Sequence, residues 1–288
     1  MFCDLWWFCE TSCEIASSCS SRRNTRVGQD KNAFSGDVLP MPRNDDAAAK
    51  NGKQQPIAQA LTDRAVAVPM TLWLISVLAL AFCLGPPMNL VTGGVQGFFS
   101  NGPPRWRAAW ALPTQMVLMP VLFVLGHRAL GSQGPRAWGL QWARERRGPN
   151  AWCFVLLFPT WLFLDFFILG LEDMRPIMLL HHVTCIVAHM IACFPFAAGF
   201  GWYFLGVISL EFGSGVCNIF CFGWPWYPLT TYLYFAGMTI SNLLACYCAY
   251  HWVQTVQSRS GRLIGIVITG VLTVMRQREA HRAFAVST

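Results

Sequence analysis

Three histidines, His181, His182 and His189, stand inside the run Met178–Phe196, MLLHHVTCIVAHMIACFPF, which is otherwise apolar enough to lie in a membrane. Asp165 sits in the apolar run before it and Glu211 in the one after. A polar side chain in hydrocarbon without a partner costs several kcal/mol, and ionisable groups at membrane depth mark functional sites. At about 1.5 Å per residue, Asp165 falls about 9 Å before the end of its run. The histidine pair falls about 6 Å after the start of the next. The intervening loop, Glu172 to Pro176, is short, so the two helices are expected to be antiparallel neighbours with Asp165 facing one member of the pair. His182 shares a helix face with Ile186, His189 and Cys193, and His181 with Thr184 and Cys185. Adjacent residues point about 100° apart, so the two cannot make the same contact.

Four kinds of chemistry compete for this set. One is a structural knot, in which His, Asp and Glu satisfy one another and fix helix register for about 0.6–2 kcal/mol per bond. The second is catalysis, with a histidine as general base or transient acyl acceptor oriented by Asp165 or Glu211. The third is a di-iron centre of the membrane desaturase type, which draws on about eight histidines in spaced boxes. This chain has six in all, and His127, His251 and His281 lie far from the cluster. The His-x-x-His-His box of fatty-acid elongases also fails, because here the pair comes first. The fourth is a proton relay through His and Glu. Transporters of that kind carry repeated halves, and the sequence shows no repeat.

These residues need membrane helices to position them, and the composition supplies them. The chain is 54% hydrophobic and only 12% charged, with 13 Trp and 21 Phe, far from a soluble domain. Between Arg147 and Arg259 the only Lys or Arg is Arg175. The fold class read from this is all-α, a multi-pass transmembrane bundle or barrel of six spans plus a short seventh apolar segment. The spans fall at about Ala65–Leu84, Ala108–Leu130 (kinked by Pro113 and Pro120), Ala151–Leu171, Ile177–Phe196, Phe200–Phe222 and Leu229–Trp252. The seventh segment, Leu263–Met275, has 13 residues, short of the roughly 20 a crossing helix needs, and is read as re-entrant or interfacial. Gly201, Gly206, Gly213, Ser214 and Gly215 in the fifth span allow close helix packing around Glu211.

Residues 1–62 read as a disordered tail, 63–275 as the transmembrane domain and 276–288 as a basic C-terminal tail. The tail is polar and aperiodic after an aromatic opening. Asp4, Glu10 and Glu14 precede its first arginine, against the pattern of a signal peptide. Of 12 cysteines, eight (Cys83, Cys153, Cys185, Cys193, Cys217, Cys221, Cys246, Cys248) lie in apolar segments, where they act as small hydrophobes. Cys3, Cys9, Cys13 and Cys19 lack the spacing and histidines of a zinc site. No metal or cofactor is expected. The net charge of +7 comes from arginines beside apolar segments, which points to topology and lipid headgroups rather than nucleic acid. Arginine bias puts the N-terminus and the 131–147 loop in the cytosol, with Arg105, Arg107 and Arg175 outside. Arg276, Arg278 and Arg282 stay inside if Leu263–Met275 does not cross.

Three stretches together resemble the TLC-domain membrane proteins: Phe163-Leu164-Asp165, then Leu179-Leu180-His181-His182-Val183-Thr184, then Ser209-Leu210-Glu211-Phe212-Gly213-Ser214. That superfamily includes ceramide synthases, translocating-chain-associated membrane proteins and smaller TLC-domain-containing proteins. The chain looks more like the last group, since the later His-Asp and further acids of the synthases have no counterpart after Thr184. Where an Arg often follows the Asn-type position in that group, this chain reads Asn218-Ile219-Phe220-Cys221. The resemblance implies a six-to-seven-helix barrel around a lipid-accessible cavity and a role in membrane lipid homeostasis. In the synthase branch it implies acyl-CoA-dependent N-acylation of a sphingoid base, and in another branch a non-catalytic translocation or trafficking accessory. The candidates for chemistry are His181, His182 and Asp165, and those for holding a substrate are Glu211, His189 and Asn218. The expected partners are membrane lipids and acyl-CoA, and the expected location is the endoplasmic reticulum or another endomembrane.

Overall fold

The computed structural model describes residues 57–84, 111–129, 134–145, 148–169, 176–222 and 229–287. All lie in one compact unit, Ala47–Thr288. Every long element among them is a helix and none is a strand. Most of the tail lies outside the described residues, and its last part, Ile57–Thr62, forms a short helix, α1.

Asp63 starts α2, Arg64–Ala79, by accepting the Ala65 N–H at 2.9 Å. A carboxylate there meets both an orphan donor and the positive end of the helix dipole. The predicted second span is a short helical run, Ala111–Pro113, a π-helical turn at Thr114–Leu118, and then α3, Met119–Arg128. Pro120 has no N–H and its ring crowds the preceding turn, so the backbone widens just ahead of it. The widening turns Thr114 and Gln115 into the protein, where both are buried.

The 131–147 segment is not a plain loop. It contains α4, Gly134–Glu145, with Trp138 and Trp142 buried and Arg136 and Arg144 exposed. Proline opens both α5, Pro149–Leu169, and α6, Pro176–Cys193, the position where its missing N–H costs nothing. A 3₁₀ turn at Ala197–Gly199 leads into α7, Phe200–Phe222, followed by α8, Leu229–Thr255, and α9, Arg259–Ser287.

Four stretches are long and apolar enough to cross a membrane: Arg64–Phe82, Pro149–Ile168, Ala197–Phe220 and Leu229–Thr255. This is an all-helical membrane protein. These four coincide with the first, third, fifth and sixth predicted spans. The apolar part of α6, Leu179–Cys193, is shorter. Exposed apolar side chains stripe the outer faces at helical spacing, as with Val68, Leu72 and Ile75 on α2, and Val183, Val187 and Met190 on α6.

The last apolar stretch, expected to be a short re-entrant or interfacial segment, is part of a longer helix. Leu263–Met275 is the middle of one continuous helix that absorbs most of the predicted C-terminal tail. It lies antiparallel to α8 along its whole length. The Trp252 Nε1–H donates to the Gly261 carbonyl at 3.2 Å at one end, Asn242 Nδ2–H donates to Gln277 Oε1 at 2.9 Å in the middle, and Phe235 packs on Phe284 with ring centroids 5.0 Å apart at the other end.

An aromatic core holds α3, α4, α5 and α7 together. Phe154 stacks on Phe204 at 3.5 Å between centroids and Trp142 on Phe200 at 4.3 Å. Trp142 Nε1–H also donates to the carbonyl of Cys193 at 3.1 Å, serving an orphan acceptor at the end of α6.

Candidate functional site

Asp165 on α5 and the paired histidines on α6 meet near the ends of the two helices. His182 Nε2–H donates to Asp165 Oδ2 at 2.8 Å. His182 is buried, and the Asp165 side chain keeps 18% of its exposure. His181 points elsewhere, as the 100° offset requires. Its ring stands perpendicular to that of His182, with centroids 5.6 Å apart, and its nitrogens lie 3.8 and 3.9 Å from the Cys185 thiol. No oxygen or nitrogen among the described residues bonds the His181 ring, whereas its neighbour is fixed by a carboxylate.

Glu211 is buried on α7, midway along it. Gln115 Nε2–H donates to Glu211 Oε2 at 2.7 Å, and Asn218 Nδ2–H donates to Gln115 Oε1 at 2.9 Å. Gln115 therefore links two residues of α7 that are two turns apart. No donor among the described residues reaches Glu211 Oε1. Glu211 also lies within electrostatic reach of Asp165, His182 and Arg276, so the cluster draws on α5, α6, α7 and α9.

Arg276 belongs to the cluster although the sequence placed it in a cytosolic tail. Its guanidinium donates through Nη1 to Ser214 Oγ at 2.9 Å, through Nη2 to the Leu210 carbonyl, and through Nε to Asn242 Oδ1 at 3.3 Å. Gly213 makes room for it, since a Cβ there would collide with Nη2 and with Ser241 Oγ. Gln115 is the other residue that sequence reasoning missed. Its signal was a lone amide between two prolines in an apolar run.

His189 lies apart in bonding, if not in sequence. It is fully buried. Its Nε2 lies 2.9 Å from the Val155 carbonyl, which can only accept, so Nε2 carries the proton. Nδ1 then accepts the Tyr203 hydroxyl at 2.9 Å. Both ring nitrogens are used, tying α6 to α5 and α7, and Phe154 and Phe158 close over the ring.

Among the described residues, no three His, Cys, Asp or Glu side chains converge as metal ligands. A separate apolar groove of about 220 Å³ lies between α2 and α5, lined by Met70, Trp73, Leu74, Leu156 and Thr160 among others. It shares no residue with the polar cluster. Compared with known proteins, the chain matches no family model, no curated protein and no solved structure. The likeness to TLC-domain proteins rests on Asp165, the His181-His182 pair and Glu211 themselves.

Proposed function

We propose that this chain is a TLC-type multi-pass protein of the endoplasmic reticulum or a related endomembrane. It handles a lipid or acyl chain at the polar cluster within the bilayer and so acts in membrane lipid homeostasis. The observation that carries the reading is the division of labour in the histidine pair. His182 is held by Asp165, while among the described residues the His181 ring nitrogens beside it meet only the Cys185 thiol. An imidazole with an unused nitrogen next to an anchored one is what a base or acyl acceptor needs. In the acyl-transfer form of the reading, His181 would attack the thioester carbonyl of acyl-CoA, breaking the C–S bond and releasing the CoA thiol. A lipid amine would then take the acyl group and free the imidazole, with the Asp165-held His182 ring packed edge-on against it. Glu211 and Asn218 would hold the polar end of the lipid.

The accessory reading keeps one specific support. Gln115 bonds both Glu211 and Asn218, which is how a network that only fixes helix register would look.

The two readings separate on His181. His181→Ala is expected to leave the yield of folded, detergent-extracted protein near that of the parent and to change the cellular ceramide or phospholipid profile, or the lipids that co-purify. His182→Ala and Asp165→Ala each strand a partner at about 1–3 kcal/mol, so yield and lipid phenotype fall together. Unchanged lipid profiles with a well-folded His181→Ala, His182→Ala double variant would leave the accessory role.

A further inference from the structure

Arg276 is a cation at an unusual place, and two observations locate it. The first is the pairing of α9 with α8. Contacts run from Trp252–Gly261 through Asn242–Gln277 and Thr239–Gln277 to Phe235–Phe284 and Tyr232–Phe284. A helix beside a crossing helix over its whole length crosses with it. The outward face of α9 fits lipid, with Leu263, Ile266, Val267, Val271 and Val274 exposed at helical spacing. Arg276 and Gln277 face inward, onto α7 and α8.

The second observation is the form of the arginine's slot. Its described hydrogen-bond partners are all neutral: the Leu210 carbonyl, Ser214 Oγ and Asn242 Oδ1. Leu210 and Ser214 are the residues just before and three after Glu211 on α7. The guanidinium therefore grips the turn that carries the carboxylate without touching the carboxylate. The Glu211 charge is nonetheless within its electrostatic reach. A guanidinium suits this task because its planar fork serves several acceptors at once while keeping its charge.

We propose that α9 is a membrane-crossing helix that delivers Arg276 as the positioning residue of the site, clamping the Leu210–Ser214 turn and supplying the counter-charge for Glu211. The inference deepens the lipid-handling reading, since it concerns the same cluster. Its test needs no lipid turnover, so the two can fail separately.

The probe is dicyclohexylcarbodiimide, an apolar reagent that modifies protonated carboxyl groups in membranes. A neighbouring cation favours the ionised carboxylate, so taking away the charge of Arg276 should make Glu211 more reactive to the reagent than it is in the parent. The protein in detergent is sorted by gel filtration, labelled, and mapped by mass spectrometry, with Glu211→Gln marking the peptide. In the folded fraction of Arg276→Gln, labelling of Glu211 is expected to rise several-fold, whereas Arg276→Lys, which keeps the charge, should stay near the parent. Should Arg276→Gln not fold, Gly213→Ala displaces the guanidinium by its Cβ without removing it and is expected to raise labelling too. Unchanged Glu211 labelling in either folded variant overturns the proposal. So does an equal rise in Arg276→Lys, which would show that shape, not charge, protects the carboxylate.

Discussion

At the scale of single residues, the polar groups inside this protein divide by whether their bonding capacity is used up. His189 uses both nitrogens, one on the Val155 carbonyl and one on the Tyr203 hydroxyl. His181 uses neither on oxygen or nitrogen among the described residues. The sequence put both in the same apolar run, on different helix faces, and offered both to the site, His181 for chemistry and His189 for holding a substrate. Spacing gives the face of a helix but not which neighbour that face meets. His189 is accordingly expected to behave as a core residue. His189→Ala removes the ring from a closed pocket and strands two partners, which should cost about 2–4 kcal/mol and lower the melting temperature in detergent. Tyr203→Phe loses one bond and should cost about 1 kcal/mol. A His189→Ala protein as stable as the parent would mean that the bonds to Val155 and Tyr203 contribute little.

At the scale of elements, hydropathy and proline were good guides and charge was a misleading one. The apolar runs that became α2, α5, α7 and α8 were legible because each is long and continuous. The Asp165–His182 contact was legible because a short connection forces antiparallel neighbours. Besides the short α1, two helices were not. The arginines of the 131–147 segment concealed α4, whose Trp138 and Trp142 one turn apart are its buried face. Arg276, Arg278 and Glu279 concealed the second half of α9, because a charge after an apolar run looks like the end of a span. Only the slot on α7 and α8 shows that this one points inward. The docking of α4 has its own test. Gly201 lies against the Pro135 carbonyl and Gly139 against that of Ala198, so the two elements meet backbone to backbone. A Cβ at Gly201 would strike main chain that cannot swing aside, and Gly201→Ala should cost about 1–3 kcal/mol. Gly270, with nothing near it, is the control. Gly270→Ala should be neutral or gain about 0.5–1 kcal/mol, and equal melting temperatures for the two variants would remove the case for close docking of α4.

At the scale of the whole molecule, the arrangement is an apolar shell around a polar seam, and the seam decides how the arginine count should be read. Placing Arg276, Arg278 and Arg282 on the far face argued against a seventh crossing as long as all three were free to set orientation. Arg276 is spent inside the protein, and Arg282 Nη1–H donates to Glu279 Oε1 at 2.9 Å. The objection then rests on Arg278 and Arg282, since an exposed acidic partner does not take an arginine out of the count, while the pairing of α9 with α8 favours crossing. The consequence is a parity that can be measured. With the 131–147 segment cytosolic, and with α6 crossing as the sequence leads one to expect and α9 as proposed, α5 to α9 would carry the chain across five times, returning the 256–258 connection to the cytosol and bringing the C-terminus out on the other side. Gln257 and Ala285 are both exposed, and each can be made the reporter, as Gln257→Cys and Ala285→Cys in a chain whose Cys3, Cys9, Cys13 and Cys19 are serine. In cells permeabilised only at the plasma membrane, an impermeant maleimide is expected to label position 257 at once and position 285 only after the endomembranes are opened. Labelling of both positions in the first step would put α9 back on the cytosolic side, and Arg276 with it.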